Sequence, residues 1–386
     1  MKFIIRLAVD RGTQRGKGKS DVMTYPEELA AVLEGLWPKN KAKGLLAQTV
    51  LSGEVERGAF GGDARDKLMP GCWLVSPKEH DFFKFRFAFF VHPSIMRTET
   101  GPWTDLRSLL GEKYRPFHAV SEFLNSAGIG VIYAVPNTRD GTLPLTEVRN
   151  SNFENINWSL YRLSNGEFAE IGSREFFGRW EGERGRPSRG GDWDPGVRQE
   201  IRRLDGGILL KLVMNELFYA GFLKGVLRKP LNDPYDVDAF MVSLSQKHIL
   251  PMEIKEKFPG SNRNERYFGI DAGRIMMLLR LALPNDANAL YIVRETDEQG
   301  GFRGWKYTTL SEIVMTSSWN LQAGGRGMGG QSTQTVRLPY SQFKTFDRST
   351  LSEDSLKRMG ELPREIREMA VRFREELSSK FYGGYQ

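Results

Sequence analysis

The stretch that most restricts the fold is 235–257, "YDVDAFMVSLSQKHILPMEIKEK". Two runs of strand-like residues stand on either side of a short polar break, which predicts a β-hairpin with strands at 235–244 and 248–257. Residues i and i+2 of a strand point to one side. Asp236 and Asp238 therefore share a face, and so do Glu253 and Lys255. Apolar helical patterns flank the hairpin, "GGILLKLVMNELFYAGFLKGVL" at 206–227 and "GIDAGRIMMLLRLAL" at 269–283, and a strand, "NALYIVRE", follows. A sheet beside such helices is covered on at least one face. Charges in its strands then need partners, because a buried lone charge is costly.

The residue inventory narrows the chemistry. Histidines are few and scattered (His80, His92, His118, His248), and Cys72 is the one cysteine. That argues against a zinc site and excludes an intramolecular disulfide framework. A bound metal is then expected to be a hard cation held by carboxylates. If the two strands pair, Asp238 and Glu253 meet and can share one divalent cation with water and a phosphate oxygen. Lys255 then supplies a point charge for the attacking water or the transition state. Glu216 falls within the apolar stripe of the preceding helix. Two readings of it stay open: a third acid of the same cluster, or an edge residue paired with Lys211 or Lys224. The plainer alternative for the whole hairpin is a solvated strand face with cross-strand Asp–Lys pairs.

Helix Glu216, then Asp238 in "PYDVDAF", then Glu253-Ile254-Lys255, resemble the motifs of the PD-(D/E)XK nuclease superfamily. The resemblance covers roughly 206–296. It implies a restriction-endonuclease-like core, a central mixed sheet flanked by helices, within a chain that is α/β and mixed α+β overall. Asp238 and Glu253 become metal ligands for Mg²⁺, with Mn²⁺ as a substitute, and Lys255 and Glu216 join them as catalytic residues. Arg274, on the following helix, resembles the polar residue that some members add to the site. The family core has a strand ahead of the Asp strand, and "RKPLN" at 228–232 is a poor candidate for it. The implied activity is Mg²⁺-dependent DNA endonuclease action of a restriction or anti-phage defence type, by a homodimer. A recombination or transposition nuclease is the alternative within enzymes. A non-catalytic nucleic-acid-binding protein with a nuclease-like fold is the alternative outside them.

Length and charge set the rest. A chain of 386 residues suggests about two domains. The expected division is an α+β recognition domain at 1–180, a Gly/Arg-rich linker at 181–203, a nuclease core at 204–345 and a helical extension at 346–386. Strands are expected at 2–9, 82–92 and 129–135, and helices near 24–37 and 117–128. A net charge of +7 with a sequence pI of about 9.3 suits a polyanionic partner. Duplex DNA is the expected one, with RNA left open. Arg184, Arg186 and Arg189 in the linker, together with Arg274, are the candidate backbone contacts. "TQRGKGKS" at 13–20 imitates a phosphate-binding loop, but Thr13 stands where the motif needs glycine, so a basic surface loop is the better reading. No uninterrupted apolar run reaches the roughly 18–20 residues of a membrane span. The N-terminus reads as a strand, not a signal peptide, so a cytoplasmic chain away from membranes is expected.

Overall fold

The computed structural model describes residues 25–36, 39–61, 64–76, 86–98, 106–178, 180, 193, 195–228, 231, 235–245, 247–262, 265–316, 322–326 and 332–382. The expected strand at 2–9, the imitation loop at 13–20 and Arg184, Arg186 and Arg189 lie outside them.

The chain is mixed α/β, with a large mixed sheet flanked by helices. Its strands in chain order are β1 (Leu68–Val75), β2 (Phe87–Val91), β3 (Met96–Arg97), β4 (Gly130–Thr138), β5 (Asn157–Ser164), β6 (Glu167–Ile171), β7 (Tyr235–Ser243), β8 (His248–Lys257), β9 (Gly260–Asn262), β10 (Glu265–Asp271), β11 (Leu290–Thr296), β12 (Phe302–Thr309), β13 (Gln322–Arg326), β14 (Ser332–Pro339) and β15 (Lys344–Thr345). The helices are α1 (Tyr25–Leu36), α2 (Lys39–Glu56), α3 (Ala64–Lys67), α4 (Leu106–Leu110), α5 (Tyr114–Ser126), α6 (Leu145–Arg149), α7 (Ser173–Gly178), α8 (Pro195–Arg202), α9 (Gly206–Glu216), α10 (Ala272–Ala282), α11 (Leu310–Thr316), α12 (Glu353–Gly360) and α13 (Arg364–Tyr382).

The large sheet runs β15-β12-β11-β8-β7-β1-β2-β4-β5-β6, with β3 added beside β4. The predicted hairpin is present as β7 and β8, antiparallel from Ser243↔His248 to Ala239↔Met252. β11 lies parallel to β8, reached through β9, β10 and α10, as a crossover requires. A second sheet, β13-β14-β10-β9, stands beside α10. The neighbour of β7 on its other side is β1, paired from Leu68↔Met241 to Leu74↔Tyr235. The strand beside β7 thus comes from far upstream in the chain.

That pairing crosses the expected division at 181–203. One sheet continues through strands from both sides of it. Within the expected linker, Pro195–Arg202 is helical and buries Val197 and Ile201; residues 181–192 and 194 lie outside the described residues.

Apolar patterning explains the layers. On one face, Phe117, Val120 and Leu124 of α5 and Ile275, Met276 and Leu279 of α10 pack against Phe240, Val131 and Tyr291. On the other face, α1 and α9 cover Trp73, Phe89 and Ile132, while Ala47 and Leu51 of α2 with Leu356 of α12 cover Ala239, Met252 and Ile292. Each fully buried Leu or Phe contributes about 1.5–3 kcal/mol relative to exposure. The helix at 206–226 is long and apolar enough to cross a membrane by length and composition, yet most of it is buried within the fold. It widens from α9 into a π-helical stretch at Leu217–Val226.

Candidate active site

The β7–β8 ladder stops at Ala239↔Met252, one step before Asp238 and Glu253 would face each other. There the strands splay, and the Asp238 side chain takes over the ladder's role. Its Oδ2 accepts the backbone N–H of Ile254 at 2.6 Å. Its Oδ1 accepts from the side-chain amide of Gln48 on α2. Gly71 lets β1 pass close by. A Cβ there would lie 1.7 Å from the Val237 carbonyl oxygen, so no other residue fits without a backbone shift. Pro70 is tolerated because β1 begins to pair with β2 only at Trp73.

Glu253 and Lys255 share a face of β8, as the alternation requires. Lys255 Nζ lies 2.7 Å from Glu253 Oε1 and 3.9 Å from Asp238 Oδ2. Both carboxylates are fully enclosed, whereas 28% of the Lys255 side chain is exposed. Arg274 approaches from α10, whose first turn is capped by Asp271 accepting from Gly273 N–H at 2.8 Å. Its Nη1 lies 2.7 Å from Asp236 Oδ1 and donates to the Asp236 carbonyl at 2.8 Å, while Nε lies 3.4 Å from Glu253 Oε1. The lysine and arginine contacts to Glu253 are close in charge but poorly aligned. Neither Glu253 oxygen has a hydrogen-bond partner.

The electrostatics follow from this enclosure. Burial, and then the Glu253 charge, push the Asp238 carboxyl well above the usual carboxylate range. Burial alone would lower the Lys255 ammonium, but Glu253 and Asp238 outweigh it and hold it above the ordinary lysine value. Arg274 is held well above its ordinary value by Glu253 and Asp236 against the cost of burial. Two strand positions on, burial and Lys255 lower the Lys257 ammonium.

The structure therefore brings Asp238, Glu253, Lys255 and Arg274 together. The Arg274 guanidinium is engaged by Asp236 and Glu253, which makes it a holder of carboxylates inside the cluster. Glu216 is buried at the end of α9, and it is not among the charges that act most strongly on Asp238. The helix that reaches Asp238 is α2, and Gln48 is the residue that the sequence did not reveal. "KNKAKGLLAQTVLSGEVE" mixes polar and apolar residues without a clear stripe, so its sequence carries no helical signal. Leu45, Leu51 and Val55 are its buried side.

Known proteins offer no guide. No family model, curated protein or solved structure is significantly similar to this chain.

Among the described residues, no group of three or more His, Cys, Asp or Glu side chains is arranged to hold a metal. The donor set at this site is the pair Asp238 and Glu253. That pair fits magnesium, which is commonly held by one or two carboxylates with water and substrate phosphate completing the shell. The Glu253 oxygens, which lack aligned hydrogen bonds, and the raised Asp238 carboxyl are the features that a cation would relieve.

A larger cleft, about 730 Å³, opens around Thr138, Asp140 and Asn157. It lies on β4 and β5. β4 is four strands from β8 in the sheet order, roughly 19 Å at the usual strand spacing, so that cleft is separate from the cluster.

Proposed function

We propose that the chain is a Mg²⁺-dependent endodeoxyribonuclease of the PD-(D/E)XK type. The observation that carries this is the splay between β7 and β8. There two enclosed carboxylates converge beside the partly exposed Lys255 side chain, and neither oxygen of Glu253 has an aligned hydrogen bond. The order of elements supports it. Helix α2 is followed by the antiparallel strands β1, β7 and β8, then helix α10 and the parallel strand β11, with residues 76–234 inserted between β1 and β7. β1 fills the place of the strand that the family core has ahead of the Asp strand. The net positive charge suits a nucleic-acid substrate.

In this reading Asp238 and Glu253 hold the cation. When bound, Mg²⁺ polarises the phosphodiester and makes its coordinated water a stronger nucleophile. The residues of the chain do the positioning. The Ile254 N–H and the Gln48 amide fix both oxygens of Asp238. Arg274 holds Glu253 from the helix side. The partly exposed Lys255 side chain stands beside both carboxylates, and its positive charge would meet the negative charge that grows on the phosphoryl oxygens.

Incubation of the protein with supercoiled plasmid and linear duplex DNA, in Mg²⁺ or in EDTA, tests the proposal. Cleavage in Mg²⁺ that is absent in EDTA and absent from Asp238→Ala supports it. Equal cleavage by Asp238→Ala would refute it.

A further inference from the structure

β8 and β11 are parallel, so both end at the same edge of the sheet. Lys255 and Lys257 point to one face of β8, and Glu295 of β11 is the register partner of Lys257. At that edge an open cleft of about 410 Å³ includes Glu295, the register partner of Lys257, with Phe258, Arg266, Arg303, Lys306 and Tyr340 in its walls. Phe258 follows β8 directly and is 51% exposed. The Arg266 guanidinium stands over the Tyr340 ring, 4.1 Å from its centroid. Glu295, buried beneath them, fixes both, accepting from Arg266 at 3.0 Å and from the Tyr340 hydroxyl at 2.9 Å. Arg303 is 63% exposed and touches Asp297 at 3.0 Å. With Glu295 and Asp297 each matched to one arginine, Lys306 leaves the cleft cationic.

We infer that this cleft holds an unstacked nucleotide of the DNA strand being cut, its base against Phe258 and its phosphate toward Arg303 and Lys306. The inference rests on the nuclease reading and names its substrate class: DNA that is single-stranded beside the scissile phosphate, such as an overhang or a splayed end. Phe258 is three residues beyond Lys255, just past the end of β8, at most roughly 10 Å along the chain, or about three nucleotides at the spacing of phosphates along one strand. An exposed aromatic beside arginines is a stacking platform, and stacking serves every base because each has a π face. A base inside a duplex is already stacked on both sides and cannot use it. The lysine row Lys255–Lys257 links the cleft to the cluster along one face, so a single strand can occupy both.

The test is fluorescence-anisotropy binding in EDTA, where cleavage is absent. The probes are a labelled single strand, a blunt duplex and a duplex with a short overhang. Phe258→Ala is expected to weaken single-strand and overhang binding about 10-fold and to leave blunt-duplex binding within about twofold. Phe258→Trp is expected to retain wild-type affinity. Because Phe258 is largely exposed, neither variant disturbs the core. Unchanged binding of all probes by Phe258→Ala, or an equal loss on all of them, overturns the inference. Failure of the nuclease reading looks different: no Mg²⁺-dependent cleavage, whatever Phe258 does to binding.

Discussion

At the scale of single residues, the cluster carries a cost to stability. Asp238 and Glu253 are enclosed together, and the Asp238 carboxyl is raised above its ordinary value of 3.8 by burial and by Glu253. A raised carboxyl favours the folded state while it is protonated. Its contribution is present below the unfolded value and is lost as pH rises through the folded one. Asp238→Asn removes that loss, and Gln48 can turn its amide to accept from the new side-chain N–H. In EDTA the Tm of Asp238→Asn is expected to exceed that of the wild type by about 2 °C or more at pH 8, with the gap closing toward pH 4. A thermal-melt series across that range checks it, and a gap independent of pH would count against the assignment. Cleavage by the variant should be lost. Gln48→Ala leaves one Asp238 oxygen without its donor, and cleavage is expected to fall about 10- to 100-fold, as for other residues that orient metal ligands. Single-turnover rates across a Mg²⁺ titration would show it, and a wild-type rate would remove Gln48 from the site.

At the scale of elements, the hairpin was legible because both strands carry their alternation in the sequence. Asp236, Asp238, Glu253 and Lys255 interrupt apolar runs at strand spacing. β11 and α10 were legible for the same reason, one as a buried run and one as a capped apolar stripe. α2 was not, because its buried Leu45, Leu51 and Val55 are diluted by Lys, Gly, Thr and Ser. The partner of β7 was not legible either. Nothing local to Tyr235–Ser243 or to Leu68–Val75 states that these distant stretches must pair; only the packed sheet does. Gly71 marks the join. Gly71→Ala drives a Cβ into the Val237 carbonyl oxygen and is expected to cost about 3 kcal/mol. Chemical denaturation would measure it, and a loss below 1 kcal/mol would mean that β1 does not approach β7 in this way.

At the scale of the whole molecule, the division read from the sequence placed the active strands in a unit of their own at 204–345. The sheet runs across that line, and α2 and β1, both upstream, supply Gln48 and the neighbour of β7. A fragment of residues 204–386 is therefore expected to lack fixed tertiary packing, as near-ultraviolet circular dichroism would report; a native-like spectrum would restore the division. The central claim is that Asp238, Glu253 and Lys255 form a Mg²⁺-dependent phosphodiesterase centre. The most direct measurement is the single-turnover cleavage rate of overhang-bearing DNA in Mg²⁺ by the wild type and by Lys255→Ala, with matched circular-dichroism spectra. Loss of at least about 100-fold in rate with the fold retained is the expected result. A Lys255→Ala protein that cleaves at the wild-type rate would contradict the assignment of this cluster as the active site.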